Sequence, residues 1–312
     1  YMKHYYSLLI CALSLLLWWS GASLSAQTTI DVTEPGSLQK KLSETTELSN
    51  LVITGSLNAD DFGALRKTAG ITTLDLSGVE VVAGGSYEGN PYMSETVETV
   101  PGTMPGYFLF AGELAESLTT ITLPNSVTRL GTRCLQNGGK LTEIHLPSEL
   151  SYVGELSFGW CESLEAIELP ESIDSLGSSA FESCKLLARV EIPGEVRYVG
   201  KSLFQDCEAL SEVTLPATMR EISFSTFKGC TSLEELDLPE MLSTIGVSAF
   251  EGCTSLSEIQ LPPLMRTIEH DAFNGCEALT SVTIQSVALE TIGDQAFMNC
   301  KALKEIMIPA GV

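Results

Sequence analysis

Seven prolines, Pro124, Pro147, Pro170, Pro193, Pro216, Pro239 and Pro262, stand 23 residues apart. Gln285 takes the next place, and one inserted residue moves the last proline to Pro309. Each proline closes a segment of the form L-x-x-I-x-L-P, as in LTEIHLP (141–147), LEAIELP (164–170), LSEVTLP (210–216) and LEELDLP (233–239). A fixed period of this length specifies a stack of like units, because one short unit cannot bury its apolar face alone. Within I-x-L the two apolar side chains point to one face of a strand and the residue between them to the other. Stacked copies then build a parallel sheet with the apolar columns inside. The proline has no backbone donor and ends the strand. An I-G step, as at Ile245-Gly246, turns the chain onto the opposite wall, and A-F-x-x-C, as at 249–253, returns it to the next leucine. The expected fold is a solenoid of the α/β superhelix class, mostly β. It has a parallel sheet on one face and irregular turns and short helices on the other.

The same segment recurs upstream without its proline, at Leu48, Leu51 and Ile53 and again 23 residues on at Ile71, Leu74 and Leu76. The next clear copy begins at Leu118, 47 residues further on. Between them, residues 77–117 hold Gly84, Gly85, Gly89, Pro91, Pro101, Gly102, Pro105 and Gly106, which read as a degenerate unit with a loop insertion. Asn58 is placed to cap a helix over 60–69, with Gly70 just past its end. Residues 27–117 are therefore expected to form a modified N-terminal cap with degenerate repeats, and 118–312 the repeat solenoid. LKEIMIPAGV (303–312) completes a strand and starts another repeat, so the parent gene is expected to continue with more repeats or a cap.

The first 26 residues read as a secretory signal. Lys3 and His4 precede an apolar run over 7–19, small residues follow, and Ala26-Gln27 is a plausible cleavage point. The run is shorter than the roughly 20 residues that span a membrane. The expected product is exported, to the cell surface or the medium, without membrane insertion after cleavage. Its 40 acidic against 17 basic residues, net −23, repel phosphate and anionic headgroups, which excludes nucleic acid and anionic membranes as partners.

Two columns are expected to fill the core. One is Phe158, Phe181, Phe204, Phe227, Phe250, Phe273 and Phe297; the other is Cys161, Cys184, Cys207, Cys230, Cys253, Cys276 and Cys300. Nine cysteines in an exported chain invite a disulfide or metal reading. Stacked strands, however, hold like side chains parallel at about 4.8 Å. Disulfides need Cβ atoms about 3.8 Å apart with a strong twist, and metal sites need converging ligands. The thiols are expected to be free, buried, small apolar fillers.

The pattern L-x-x-I-x-L-P…I-G-x-x-A-F-x-G-C-x-x-L, cleanest at 233–256, resembles the BspA-like leucine-rich repeat family of bacterial surface proteins. The resemblance covers 118–312, and 58–78 looks like the N-terminal caps that precede such repeats. It implies a leucine-rich-repeat solenoid on an exported protein engaged in adhesion or in host and matrix recognition. It implies no catalytic residues and carries no fixed ligand motif. Leu135 at a Phe place and Gly138 at a Cys place mark an atypical early layer, and Gln285 replaces a Pro.

Little in the sequence points to chemistry. His4, His145 and His270 fall at unrelated places, and no nucleophile set, phosphate loop or metal signature is present. No enzyme, cofactor or metal is expected. The outward places of the main sheet are acidic, at Glu143, Glu168, Glu191, Glu212, Glu235, Asp237 and Glu258, with Arg189 interrupting them. Glu212, Glu235 and Glu258 are expected to share one column on three successive strands. Such a face keeps a flat sheet soluble; it can also receive a basic partner or a hard cation. The candidate ligand-binding residues are Glu168, Arg189, Glu191, Glu212, Glu235, Asp237 and Glu258. The expected function is recognition or adhesion, with a protein or glycan partner bearing a basic patch. The alternative is a structural spacer in a larger surface protein, with no ligand of its own.

Overall fold

The computed structural model describes residues 26–312. The secretory-signal reading lies outside the described residues, apart from Ala26 at its end.

Strands β1 (Thr28–Val32), β2 (Asn50–Leu57) and β3 (Thr73–Val81) begin an all-parallel sheet that continues through Thr120–Thr122 and Glu143–His145. The 23-residue spacing becomes register: Leu51 lies opposite Leu74, and Ile121 opposite Ile144. Further along, Arg189–Glu191 pairs with Glu212–Thr214, and Glu258–Leu261 with Ser281–Ile284. Alternation is clean where the wall is solvated; Glu258-Ile259-Gln260-Leu261 reads exposed, buried, exposed, buried.

The opposite wall is more regular than turns and short helices. It is a second set of parallel ladders built from two-residue strands. One runs from Thr103–Met104 through Arg129–Leu130, Tyr152–Val153 and Ser175–Leu176 to Tyr198–Val199. The other runs from Glu221–Ile222 to Thr291–Ile292. The I-G step is thus itself the end of a strand. Gly200 shows why the glycine is needed: a Cβ there would lie 2.3 Å from Ser178 N of the preceding repeat.

A third side carries A-F-x-x-C. It holds two left-handed residues four apart in each repeat, such as Ser179 (φ 55°) and Ser183 (φ 58°), or Ser248 (φ 56°) and Gly252 (φ 76°). For a non-glycine residue this conformation costs about 1–2 kcal/mol. The cost is offset by bonds to the next repeat. Ser179, Phe181 and Ser183 N–H donate to Lys201, Leu203 and Gln205 carbonyls at 2.8, 3.0 and 2.8 Å. Two left-handed residues so close together also forbid a helix, which explains why the α-helices among the described residues lie in the N-terminal cap.

The phenylalanines stack as a column from Phe158 to Phe297, with ring centroids 5.1–5.7 Å apart and planes within 18° of parallel. Those from Phe158 to Phe273 are fully buried. In the last layer Phe297 and Ile306 are partly buried and Ile308 is exposed.

All eight described cysteines are free, and seven are buried. They are more than apolar filler. Each thiol of the column donates to a carbonyl of the preceding repeat: Cys207 Sγ to Phe181 O at 3.0 Å, Cys230 to Phe204 O at 3.2 Å, Cys253 to Phe227 O at 3.1 Å. A methyl group would fill the space but leave that acceptor with one donor fewer. Burial pushes the Cys161 thiol up to about 12 and raises those of Cys184, Cys207, Cys230, Cys253 and Cys276 as well. The reactive thiolate is therefore scarce at neutral pH. Iodoacetamide at pH 8 is expected to modify at most the half-buried Cys300 in the native protein and every cysteine after denaturation. Disulfides among Cys161, Cys184, Cys207, Cys230, Cys253, Cys276 and Cys300, found by mass mapping, would overturn the free-thiol ladder.

The N-terminal end is closed by α1 (Leu38–Glu44) and α2 (Ala59–Arg66). Asn58 caps α2, accepting from Asp60 and Asp61 N–H, while the Asp61 carboxylate accepts from Asn58 N–H in a capping box. The helix stops at Arg66, short of the expected 69, because Lys67 and Thr68 N–H close tighter turns onto Ala64 and Leu65 carbonyls. The segment 77–117 is more ordered than a loop. It extends β3, forms an antiparallel hairpin of β4 (Gly84–Asn90) and β5 (Glu95–Thr99), and then resumes the repeat at Thr103–Met104. Arg66 holds this insertion down. Its guanidinium donates to the Glu88, Gly89 and Phe110 carbonyls and lies 5.2 Å from the Tyr87 ring centroid.

Candidate recognition surface

Outward residues of the first wall fall into two columns set by the register. One has Thr120 opposite Glu143 and, continuing at the same 23-residue spacing beyond a gap in the ladder, Ala166 bridged to Arg189 and Arg189 opposite Glu212. The other contains Thr122, His145, Glu191 and Thr214, from the same pairings. All seven candidate residues, Glu168, Arg189, Glu191, Glu212, Glu235, Asp237 and Glu258, are exposed on this wall.

The expectation that Glu212, Glu235 and Glu258 occupy three successive strands is corrected. Glu212 and Glu258 lie on strands, but residues 233–239, with Glu235 and Asp237, form none, and the ladder is interrupted there. Like charge contributes at this break but is not the whole cause, because the ladder also stops between Glu143–His145 and Ala166, where no carboxylates would face each other. Where Arg189 faces Glu212 the strands pair. At the break a paired ladder would set Glu212, Glu235 and Glu258 in line, and adjacent carboxylates about 5 Å apart repel by roughly 1 kcal/mol even in water.

Glu168, Arg189, Glu191 and Glu212 come together in a shallow depression of about 740 Å³ spanning 142–214. Glu235, Asp237 and Glu258 lie outside its lining. The depression also takes in Glu143, His145 and Glu171. These were legible: Glu143 and His145 occupy the Arg189 and Glu191 columns, two repeats earlier. His145 Nε2 is 3.2 Å from Glu143 Oε1, and Arg189 stands as a fixed positive group among the carboxylates. The surface can exchange ion pairs with a charged partner. Among the described residues no group of three or more His, Cys, Asp or Glu side chains is placed to hold a metal ion.

The profile of the BspA type leucine rich repeat region matches six copies, over residues 106–234 and 220–312. The chain belongs to this family. Among curated proteins no match was found. Solved structures similar to this BspA-type chain include the leucine rich repeat protein of T. pallidum. That protein is 36% identical over 45% of this chain and 65% of its own length, with a TM-score of 0.43. A leucine-rich repeat protein from Bacteroides ovatus is 21% identical over 76% and 75%, with a TM-score of 0.46. A leucine rich cell surface protein from Faecalibacterium prausnitzii is 23% identical over 76% of this chain and 64% of its own, with a TM-score of 0.43. The chain thus spans just under two thirds of the treponemal protein. Among the described residues, no helix of this BspA-type repeat module is long and apolar enough to cross a membrane.

Proposed function

We propose that this chain is an exported, surface-exposed recognition module that takes a protein or glycan partner with a basic patch on the first wall, over residues 142–214. The observation that carries the reading is the depression itself. It gathers Glu143, Glu168, Glu171, Glu191 and Glu212 around Arg189 on a broad solvated sheet. Inward residues of this wall repeat from layer to layer, whereas the outward ones change, which is the division expected between a scaffold and a reading surface. The apolar run and small residues of 1–26 support export. Attraction between this face and a basic partner speeds encounter and weakens as salt rises.

A screen of the chain against extracellular proteins and glycans tests the reading, followed by the triple variant Glu168→Ser, Glu191→Ser, Glu212→Ser. These side chains are exposed, so the melting temperature should hold or rise slightly as repulsion is relieved. Affinity is expected to fall at least tenfold, with a flatter salt dependence. Unchanged affinity and salt slope in the variant would leave this face as a solvating surface only.

A further inference from the structure

Among the described residues the second wall opens once, between Tyr198–Val199 and Glu221–Ile222, where its two ladders end without pairing. Elsewhere three bonds join neighbouring repeats there: Ser243 and Thr244 N–H to Arg220 O, and Gly246 N–H to Ile222 O. None has a counterpart between 197–200 and 220–223. Ser223 stands where Gly131, Gly154, Gly177, Gly200, Gly246 and Gly293 stand in other repeats. At Gly177 and Gly200 an added Cβ would lie 2.6 and 2.3 Å from the preceding repeat's backbone. Glu269 also carries a side chain at this place and keeps its bond to Ile245 O, so Ser223 permits the opening and does not alone force it.

The opening is a groove of about 470 Å³. Arg197 and Arg220 line it, both exposed, and neither guanidinium has an ion-pair or hydrogen-bond partner among the described residues. In a chain of net charge −23, Arg197 and Arg220 put two unneutralised guanidiniums into one groove. Asp174, one repeat before Arg197 in the same column, forms no ion pair with it. Tyr198 stands at the rim, 56% exposed, with Met219 beside it and the carboxylates of Glu195 and Glu221 along the sides. The backbone N–H groups of Arg220 and Ser223, freed by the missing ladder, complete the donor set.

We infer that this groove is a second binding site, separate from the acidic face, for a carboxylated sugar residue of a glycan. Each part of the ligand has a counterpart. Paired guanidiniums and free N–H groups take a carboxylate. The carboxylates of Glu195 and Glu221 accept sugar hydroxyls. The exposed Tyr198 ring gives a flat face for the apolar side of a pyranose. An acidic peptide would use the arginines but leave Glu195 and Glu221 facing like charge. An extended strand would find only two-residue edges to pair with.

The test is an array of sialylated, uronic-acid-containing and neutral glycans probed with the full chain, then with Arg197→Gln/Arg220→Gln and with Tyr198→Ser. Binding of a carboxylated glycan is expected, lost on reduction of its carboxyl group and weakened at least tenfold in both variants at unchanged melting temperature. The triple acidic-face variant should bind that glycan normally, so failure here is separable from failure on the first wall. The inference is overturned by silence across all carboxylated glycans, by equal binding of the carboxyl-reduced sugar, by equal binding in the arginine variant, or by binding of poly-glutamate alone.

Discussion

Phe227→Ala is expected to cost about 3–5 kcal/mol of stability, the range for emptying a buried aromatic site. Phe227 is fully buried, and its ring stacks between Phe204 at 5.7 Å and Phe250 at 5.3 Å. Truncation leaves a ring-sized void with filled layers above and below. Neither neighbour can collapse into it, because the A-F-x-x-C side holds each layer to the next through three backbone bonds, here from Ser225, Phe227 and Gly229 to Val247, Ala249 and Glu251. A solenoid's stability is close to a sum of unit and nearest-neighbour terms, so the loss should fall on the interfaces either side of this layer. Phe297→Ala is the internal comparison. That ring is stacked on one side, against Phe273, and only partly buried, so its cost should be less than half as large. Denaturant melts of both variants decide the matter, and a Phe227→Ala loss below about 1 kcal/mol would show that the stacked column is not what holds the layers together.

The second large effect is expected at Asp61. Its buried carboxylate accepts from Gly36 N–H at 2.7 Å, Leu38 N–H at 2.9 Å and Asn58 N–H at 3.0 Å. One side chain therefore closes the start of α2 and anchors the start of α1. Bonds to a charged acceptor contribute about 1.5–3 kcal/mol each, and a buried donor left alone carries its full desolvation penalty. Asp61→Asn keeps the shape but turns an NH2 group toward backbone donors, so at least one of the three bonds is lost. A loss of about 3 kcal/mol is expected, localised to the cap. Hydrogen exchange is the informative readout: the Gly36 and Leu38 amides should lose protection while amides of the Phe158–Phe273 layers keep theirs. Unchanged protection at Gly36 and Leu38 would remove Asp61 from this role.

The early copies show how far the repeat carries and where it stops. Leu51, Ile53, Leu74 and Leu76 are all fully buried, so two leucine-rich segments without their prolines were enough to place the cap on the same sheet. Asn58 was legible for the same reason, since a capping residue acts on amides two and three positions away. Helix α1 was not legible. It lacks a side-chain cap of its own and depends on Asp61, 23 residues downstream of Leu38. Arg66 likewise read as one more charge on a helix, because the carbonyls it binds lie 22 to 44 residues away.

The sequence by itself determined the period, the inward columns and hence the solenoid, because a 23-residue repeat of apolar places leaves one way to bury them, layer on layer. It also determined that the thiols are free, since stacking keeps like side chains parallel. Only the tertiary structure decided where the walls pair and where they part. The break at 233–239 and the opening between Val199 and Ile222 depend on charge and backbone spacing between one turn and the next. Such terms exist only once residues 23 apart in the chain stand side by side in space. The same holds for the candidate sites. Glu168, Arg189, Glu191 and Glu212 share a depression, while Glu235, Asp237 and Glu258 do not. The 23-residue period treats all seven alike, and the depression ends where the first wall's ladder is interrupted at 233–239.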